Sequence, residues 1–311
     1  MSTLVFRDPV YDGATDPVVT WNPRDQSWWL MYTARRASVT GLPGVAWVHG
    51  SDIGVATSKD GRSWAYYGAL ELVAPDSGRN TFWAPEVIWS DGTCHMFVSY
   101  IRGTPAEWPG HERTIHRYTS TDMRSWRHEG ELELASRYVI DACIHELVGG
   151  GYRMWYKNEA DQNSTWQSDS PDLVTWSDHR LVLRTPGGHE GANVFFLDGV
   201  YWMVVDSWEG QLAFRSVDLT RWEPAGIVLD TSSGTPMLGT EDHGPGLHAD
   251  VVVTGGKATI FYFTHPDRID PRREGVADRR STILACDLLV GGNRLYADRD
   301  APSDFPHETR E

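Results

Sequence analysis

Asp16, Asp141 and Glu190 stand at comparable places in this 311-residue chain. Each heads a segment that runs through apolar residues into a turn and then an aromatic-rich stretch. Two carboxyl groups held on either side of a glycosidic bond can hydrolyse it. One donates a proton to the departing oxygen, and the other attacks the anomeric carbon or deprotonates a water. A third acid beside the donor keeps it protonated and oriented. Three like charges gathered in one place also raise the pKa of at least one of them, a cost that points to use. Spacing favours Asp16 over Asp8 and Asp12: Asp16 lies 12 residues before Trp28, and Glu190 lies 12 before Trp202.

Other polar residues could line such a site. Arg35-Arg36, Lys157-Asn158, Asp206 and His265 follow the aromatic-rich stretches, where Arg36, Lys157, Asp206 and His265 could bond sugar hydroxyls. Trp47, Trp83, Trp108 and Trp208 are candidates for stacking on sugar rings, with core packing as the competing use. His248 heads a further segment, His189 adjoins Glu190, and Glu86 is a structural or sugar-contacting residue whose register matches Asn193. The His-rich stretch Glu241-Asp242-His243 lacks a clean zinc spacing.

The elements that must position these residues repeat along the chain. A Ser-x-Asp turn followed by Trp occurs four times: Ser58-Asp60-Trp64, Ser120-Asp122-Trp126, Ser170-Asp172-Trp176 and Ser216-Asp218-Trp222. An Asp in such a turn accepts from backbone N–H groups just ahead of it, while the Trp opens the next strand. Between the turns fall segments starting at Asp16, Pro85, Asp141, Glu190 and His248. Each reads as two strands joined by turn residues such as Asp91-Gly92 or Asp198-Gly199. Units of about four strands recurring every ~40–60 residues predict propeller blades. The prediction is an all-β, single-domain, five-bladed β-propeller with blades at 16–70, 80–132, 138–183, 188–229 and 246–298. Leu4-Val5-Phe6 is the candidate for closing the last blade. Innermost strands start near the axis, so the heads converge, and the interrupting segments 36–52, 102–113, 232–247 and 266–280 would wall the pocket.

These residues resemble the five-bladed glycoside hydrolases of families 43 and 117. The resemblance runs through Asp16-Pro17, Trp83-Ala84-Pro85-Glu86, Ile140-Asp141 and Glu190-Gly191. For family 43 it implies Asp16 as general base, Asp141 as modulator and Glu190 as general acid, with inversion at the anomeric centre. Pentosides such as arabinofuranosides or xylosides, in small oligosaccharides, are the implied substrates. The chain departs from the family pattern at Asp141-Ala142-Cys143 and Glu190-Gly191-Ala192. The resemblance also implies that His248 could sit near a central calcium or water cluster; no cofactor is required. In family 117 a histidine replaces the acid, a part open to His189, His243 or His248. A sugar-binding propeller without turnover and a phosphorylase on the same fold are the alternatives. Phe6-Arg7-Asp8-Pro9 imitates the Arg-Asp-Pro signature of fructan hydrolases but falls outside the middle blade where that signature belongs.

Composition narrows the partners. With 43 acidic and 28 basic residues the net charge is −15, which repels phosphate backbones and anionic lipid. No apolar run approaches the ~18 residues of a spanning helix, and no signal-peptide pattern opens the sequence. A cytoplasmic enzyme with a small oligosaccharide substrate, binding neither nucleic acid nor membrane, is expected; nothing marks an oligomer interface. Cys94, Cys143 and Cys286 read as buried free thiols. Fifteen Trp, 12 Tyr, 30 Gly and 17 Pro suit many short strands and tight turns.

Overall fold

The computed structural model describes residues 2–231, 240–270 and 275–307. Parts of two expected pocket walls, 232–239 and 271–274, lie outside the described residues. Five antiparallel sheets form a five-bladed β-propeller in a single domain. From the axis outward, blade one is Ala14–Asn22, Ser27–Ala34, Asp52–Ser58 and Ala65–Ala69. Blade two is Thr81–Ser90, Thr93–Ile101, Thr114–Ser120 and Arg127–Glu131. Blade three is Val139–Glu146, Tyr152–Asn158, Ser164–Ser170 and Ser177–Leu183. Blade four is Glu190–Leu197, Val200–Asp206, Gln211–Ser216 and Glu223–Val228. Blade five is Leu247–Thr254, Lys257–Thr264 and Thr282–Gly291, and two short strands share the outer edge of the last of these. Thr3–Phe6 pairs with one half of it, Arg294–Asp298 with the other.

The repeated turns join the third and fourth strands of blades one to four. Each Asp accepts two backbone N–H bonds through Oδ1: Asp60 from Arg62 and Ser63, Asp122 from Arg124 and Ser125. Asp172 accepts from Val174 and Thr175, and Asp218 from Thr220 and Arg221. These bonds stabilise the charged carboxylate and hold all four aspartates below the usual carboxylate range. Between blades the core is aromatic, with Trp29, Trp155 and Trp202 wholly buried. All three cysteines are buried and free.

Innermost strands of neighbouring blades pack in a closed ring. Every one carries a bulge at the same step: Thr15/Val18, Trp83/Glu86, Ile140/Cys143, Glu190/Asn193 and Leu247/Asp250. A bulge bends its strand and re-aims a side chain. In four blades the residue after the first of each pair takes left-handed backbone: Asp16 (φ 52°), Ala84 (φ 42°), Asp141 (φ 61°) and Gly191 (φ 56°). For the three that are not glycine this costs about 1 kcal/mol or more each. Five-fold register therefore aligns Asp16, Ala84, Asp141, Gly191 and His248. Glu190 stands one step earlier, level with Thr15, Trp83, Ile140 and Leu247.

Two rings of inter-blade hydrogen bonds tie the innermost strands together. In the lower ring, Glu86 Oε1 accepts from Ile144 N, and Cys143 Sγ from Val194 N. Asn193 Oδ1 accepts from Val251 N, and Asp250 Oδ2 from Val19 N. In the upper ring, second-strand side chains accept from the next blade: Thr33 from Ala84 N, Ser99 from Asp141 N, and Asp206 from His248 N. At the matching position blade three has Lys157, paired with Ile140 across the sheet, which has no acceptor to offer.

Candidate active site

Above the upper ring lies a cavity of about 480 Å³ lined by residues of all five blades. It holds Asp16, Asp141, Glu190, Lys157, Asp206 and His248, and its size falls in the usual range for small-molecule pockets, roughly 300–1,000 Å³. Asp16 accepts from Thr15 Oγ1 at 3.0 Å and faces Arg35, whose Nη2 lies 3.3 Å from both carboxylate oxygens. The Arg35 guanidinium is fixed in turn over the Phe263 ring, 5.4 Å from its centroid. His248 Nδ1 stands 3.6 Å from Asp16 Oδ1. Burial alone would lower the pKa of His248, but Asp141, Asp16, Glu190 and Asp206 together raise it.

Asp141 Oδ2 accepts from Gly191 N at 3.2 Å, supplying the acceptor that Lys157 cannot. Burial, reinforced by Glu190 and Asp16 and opposed by His248 and Lys157, pushes Asp141 up to about 7. Asp206 is also raised to about 7, by burial and then Glu190, although Trp208 N and His248 N both bond it at 2.7 Å. Glu190 goes the other way. Burial would raise it, but the Lys157 ammonium, 2.9 Å from Oε2, holds it down to about 2. Its other oxygen accepts from the Trp208 indole at 3.1 Å. Lys157 also bonds Glu159 Oε1 at 3.2 Å, and Glu159 pairs with Arg113.

Of the residues singled out by sequence, Asp16, Asp141, Glu190, Trp83, Lys157, Asp206, Trp208, His248 and His265 line the cavity. So does Trp108, whose side is half exposed. His265 donates through Nδ1 to Arg280 O at 2.8 Å, which leaves Nε2 as an acceptor, and burial with Arg268 lowers its pKa to about 3. Arg36, Glu86 and His189 stand outside the lining. Arg36 bonds the carbonyls of His49 and Ala46 and so shapes the 45–50 loop, while its neighbour Arg35 reaches the cavity. Glu86 belongs to the lower ring of inter-blade bonds. His189 is wholly buried between Thr165 and Thr185, which bond its two ring nitrogens, and burial lowers it to about 4. Trp47 is buried in a cluster with Trp83 and Ile101, and His243 is likewise absent from the lining. Asp8 serves a turn, accepting from Val10 N.

Arg35, Arg113, Glu159, Asn163, Phe263 and Arg268 complete much of the wall. The signal for Arg35 is its place just past the register pair Thr15–Thr33. Glu159 follows the Lys157-Asn158 pair, but only the fold brings it beside Arg113.

A calcium near the axis does not fit these residues. That ion takes six to eight oxygens, and the axial carboxylates and amide are occupied: Asp250 bonds Val19 N and Asn193, and Asn193 bonds Val251 N. Among the described residues no group of three or more His, Cys, Asp or Glu is placed to hold a metal.

No curated protein matches the chain by sequence. Solved structures share its fold. A thermostable family-43 glycoside hydrolase is 18% identical with a TM-score of 0.69, covering 98% of this chain and 99% of that one. The β-xylosidase RS223 is 12% identical with a TM-score of 0.72, covering 97% and 99%. A family-43 enzyme of Xanthomonas citri, solved with xylotriose, is 14% identical with a TM-score of 0.69, covering 98% and 97%. A family profile described as "Probable glycosyl hydrolase domain" matches residues 6–244. With the acidic cavity at the mouth of a five-bladed propeller, that match places the chain in the family-43-related glycosyl hydrolases, and the protein is a glycoside hydrolase.

Proposed function

We propose that the enzyme removes terminal sugars from small oligosaccharides by single displacement with inversion. The observation that carries this reading is the shared bulge, which turns Asp16 and Asp141 toward the axis and sets Glu190 beside them in one cavity. Asp16 takes a proton from a water as that water's oxygen attacks the anomeric carbon. The glycosidic C–O bond breaks, and Glu190 gives its proton to the departing oxygen. Asp141, bonded to the residue after Glu190, orients the acid and supplies the buried neighbouring charge that favours its protonation. Glu190 is a carboxylate while Lys157 stands 2.9 Å from it, so it acquires its proton as that pairing loosens. Trp83, Trp108 and Trp208 offer faces for the sugar's C–H surfaces. Xylosides or arabinofuranosides are the proposed substrates, supported by the xylose-type ligand and activity named for two of the structural neighbours.

A panel of aryl pentosides and hexosides, assayed with wild type and Glu190→Gln, tests the proposal. Proton NMR of the first-formed anomer reads the stereochemistry. Wild-type turnover with an inverted anomer is expected. The Glu190→Gln loss should be about 10²–10⁴-fold on poor leaving groups and small on dinitrophenyl glycosides. An equal loss on both classes removes Glu190 from the acid role, and a retained anomer removes the single displacement.

A further inference from the structure

The upper ring of inter-blade bonds is interrupted at blade five, where Phe263 pairs with Leu247 and has no acceptor, and at blade three, where the interruption is a charge. Thr33, Ser99 and Asp206 each receive a backbone N–H from the next blade, but the corresponding residue of blade three is Lys157. An acceptor is given up there, and a buried ammonium takes its place, 2.9 Å from Glu190 and 3.2 Å from Glu159. Burying a charge is costly unless it is paired. Pairing Lys157 with one carboxylate would meet that need, so the second calls for an explanation. Glu159 is anchored from its far side by Arg113 at 2.5 Å, and Arg113 also bonds the carbonyl of Trp108, at the exposed wall of the cavity. A charged row thus runs Glu190, Lys157, Glu159, Arg113 and ends on the backbone carbonyl of Trp108.

We infer that Lys157 is a positioning residue that exchanges its ammonium between Glu190 and Glu159, holding Glu190 as a carboxylate while paired with it and releasing it for protonation when sugar enters the cavity. This rests on Glu190 being the acid. On release Glu190 takes one proton from solvent, and Lys157 keeps its charge beside Glu159. The other groups facing Glu190 are Asp206 on its paired strand, Asp141 from blade three, Asp16 and Arg35 from blade one, and His248 from blade five. Burial and these carboxylates favour protonation of Glu190 once the ammonium withdraws, while His248 and Arg35 oppose it. Lys157 is the strongest of the three cations holding Glu190 down, so its displacement changes the outcome most.

The test compares 2,4-dinitrophenyl and 4-methoxyphenyl glycosides of a sugar that wild type turns over. With Glu159→Gln the ammonium has only Glu190 to pair with. The dinitrophenyl to methoxyphenyl ratio of kcat/KM should rise about ten-fold or more, because only the poorer leaving group needs the acid. Glu159→Asp should bring the ratio back toward wild type. In Lys157→Gln, Glu190 loses its cation, and the alkaline limb of kcat/KM should move up by about one pH unit or more. That second variant also decides the matter if Glu159→Gln does not fold. Equal slowing of both substrates, or an unmoved alkaline limb in Lys157→Gln, makes the Lys157–Glu159 pair merely structural and overturns the inference. Wild type without turnover of any glycoside overturns the hydrolytic reading itself, a distinct result.

Discussion

Asp141 Oδ2 accepts the backbone N–H of Gly191 at 3.2 Å, across the seam between blades three and four. At the corresponding seams of blades one, two and four a second-strand side chain does this work, from Thr33, Ser99 and Asp206. The upper-ring hydrogen bond between these two blades is therefore made by a member of the acidic cluster on an innermost strand. Architecture and proposed chemistry share one carboxylate.

Asp141→Asn keeps an oxygen for Gly191 but loses the titration. Asp141 is raised to about 7 in the folded protein from an ordinary value near 3.8. The folded state thus binds more protons than the unfolded chain between those values. Its contribution is fully present below the unfolded pKa and is lost as pH rises through about 7. Thermal unfolding from pH 5 to pH 8 should show Asp141→Asn gaining on wild type as pH rises. Parallel curves would show that Asp141 does not titrate in this window.

Removal of the proposed base should separate binding from turnover. Asp16→Ala is expected to lower kcat about 10²–10⁴-fold while sugar affinity changes far less. Calorimetry with a reaction product, beside steady-state kinetics, reads the two. A loss below ten-fold would place the base elsewhere.

Arg35 holds Asp16 through both oxygens and lies over Phe263. Lysine cannot reproduce that planar, two-sided contact. Arg35→Lys should reduce kcat by roughly ten- to a hundred-fold with little change in unfolding midpoint. A large fall in midpoint with normal kcat would make Arg35 a structural residue only.

Glu86 is buried and its pKa is pushed well up, first by burial and then by Asp250. A neutral isostere should therefore be tolerated. Glu86→Gln should stay within about 1 kcal/mol of wild type, whereas Glu86→Ala leaves Ile144 N without its acceptor and should cost about 1–3 kcal/mol or more. Denaturant unfolding distinguishes them, and equal destabilisation would mean that the carboxylate charge matters.

The repeat was legible because each Asp turn is a local device: the residues that make it lie within a few positions of one another. The cavity was legible to the level of strand ends. Its fine register was not. Equal 12-residue spacings of Asp16 to Trp28 and Glu190 to Trp202 match tryptophans that are not equivalent, since Trp28 pairs with Trp21 while Trp202 pairs with Phe195. The hairpin of blade one turns through 23–26 and that of blade four through 198–199, so linear counting slips between them. Bulges hide the rest, because one inserted residue exchanges the faces on which neighbours lie. For that reason Arg35, not Arg36, reaches Asp16. His189 likewise looks like a neighbour of Glu190 on paper, yet it is sequestered between two threonines.

Left-handed backbone at Asp16 and Asp141 also bears on ancestry and engineering. At both positions glycine would relax the chain, as Gly191 does at the equivalent place in blade four, so each aspartate is held against a conformational preference. A descendant freed from turnover would gain backbone ease from glycine in place of Asp16, whereas glycine in place of Asp141 would also forfeit the bond to Gly191 N. Glycine at the Asp16 bulge, in an otherwise intact propeller of this type, would be the fingerprint of a retired enzyme.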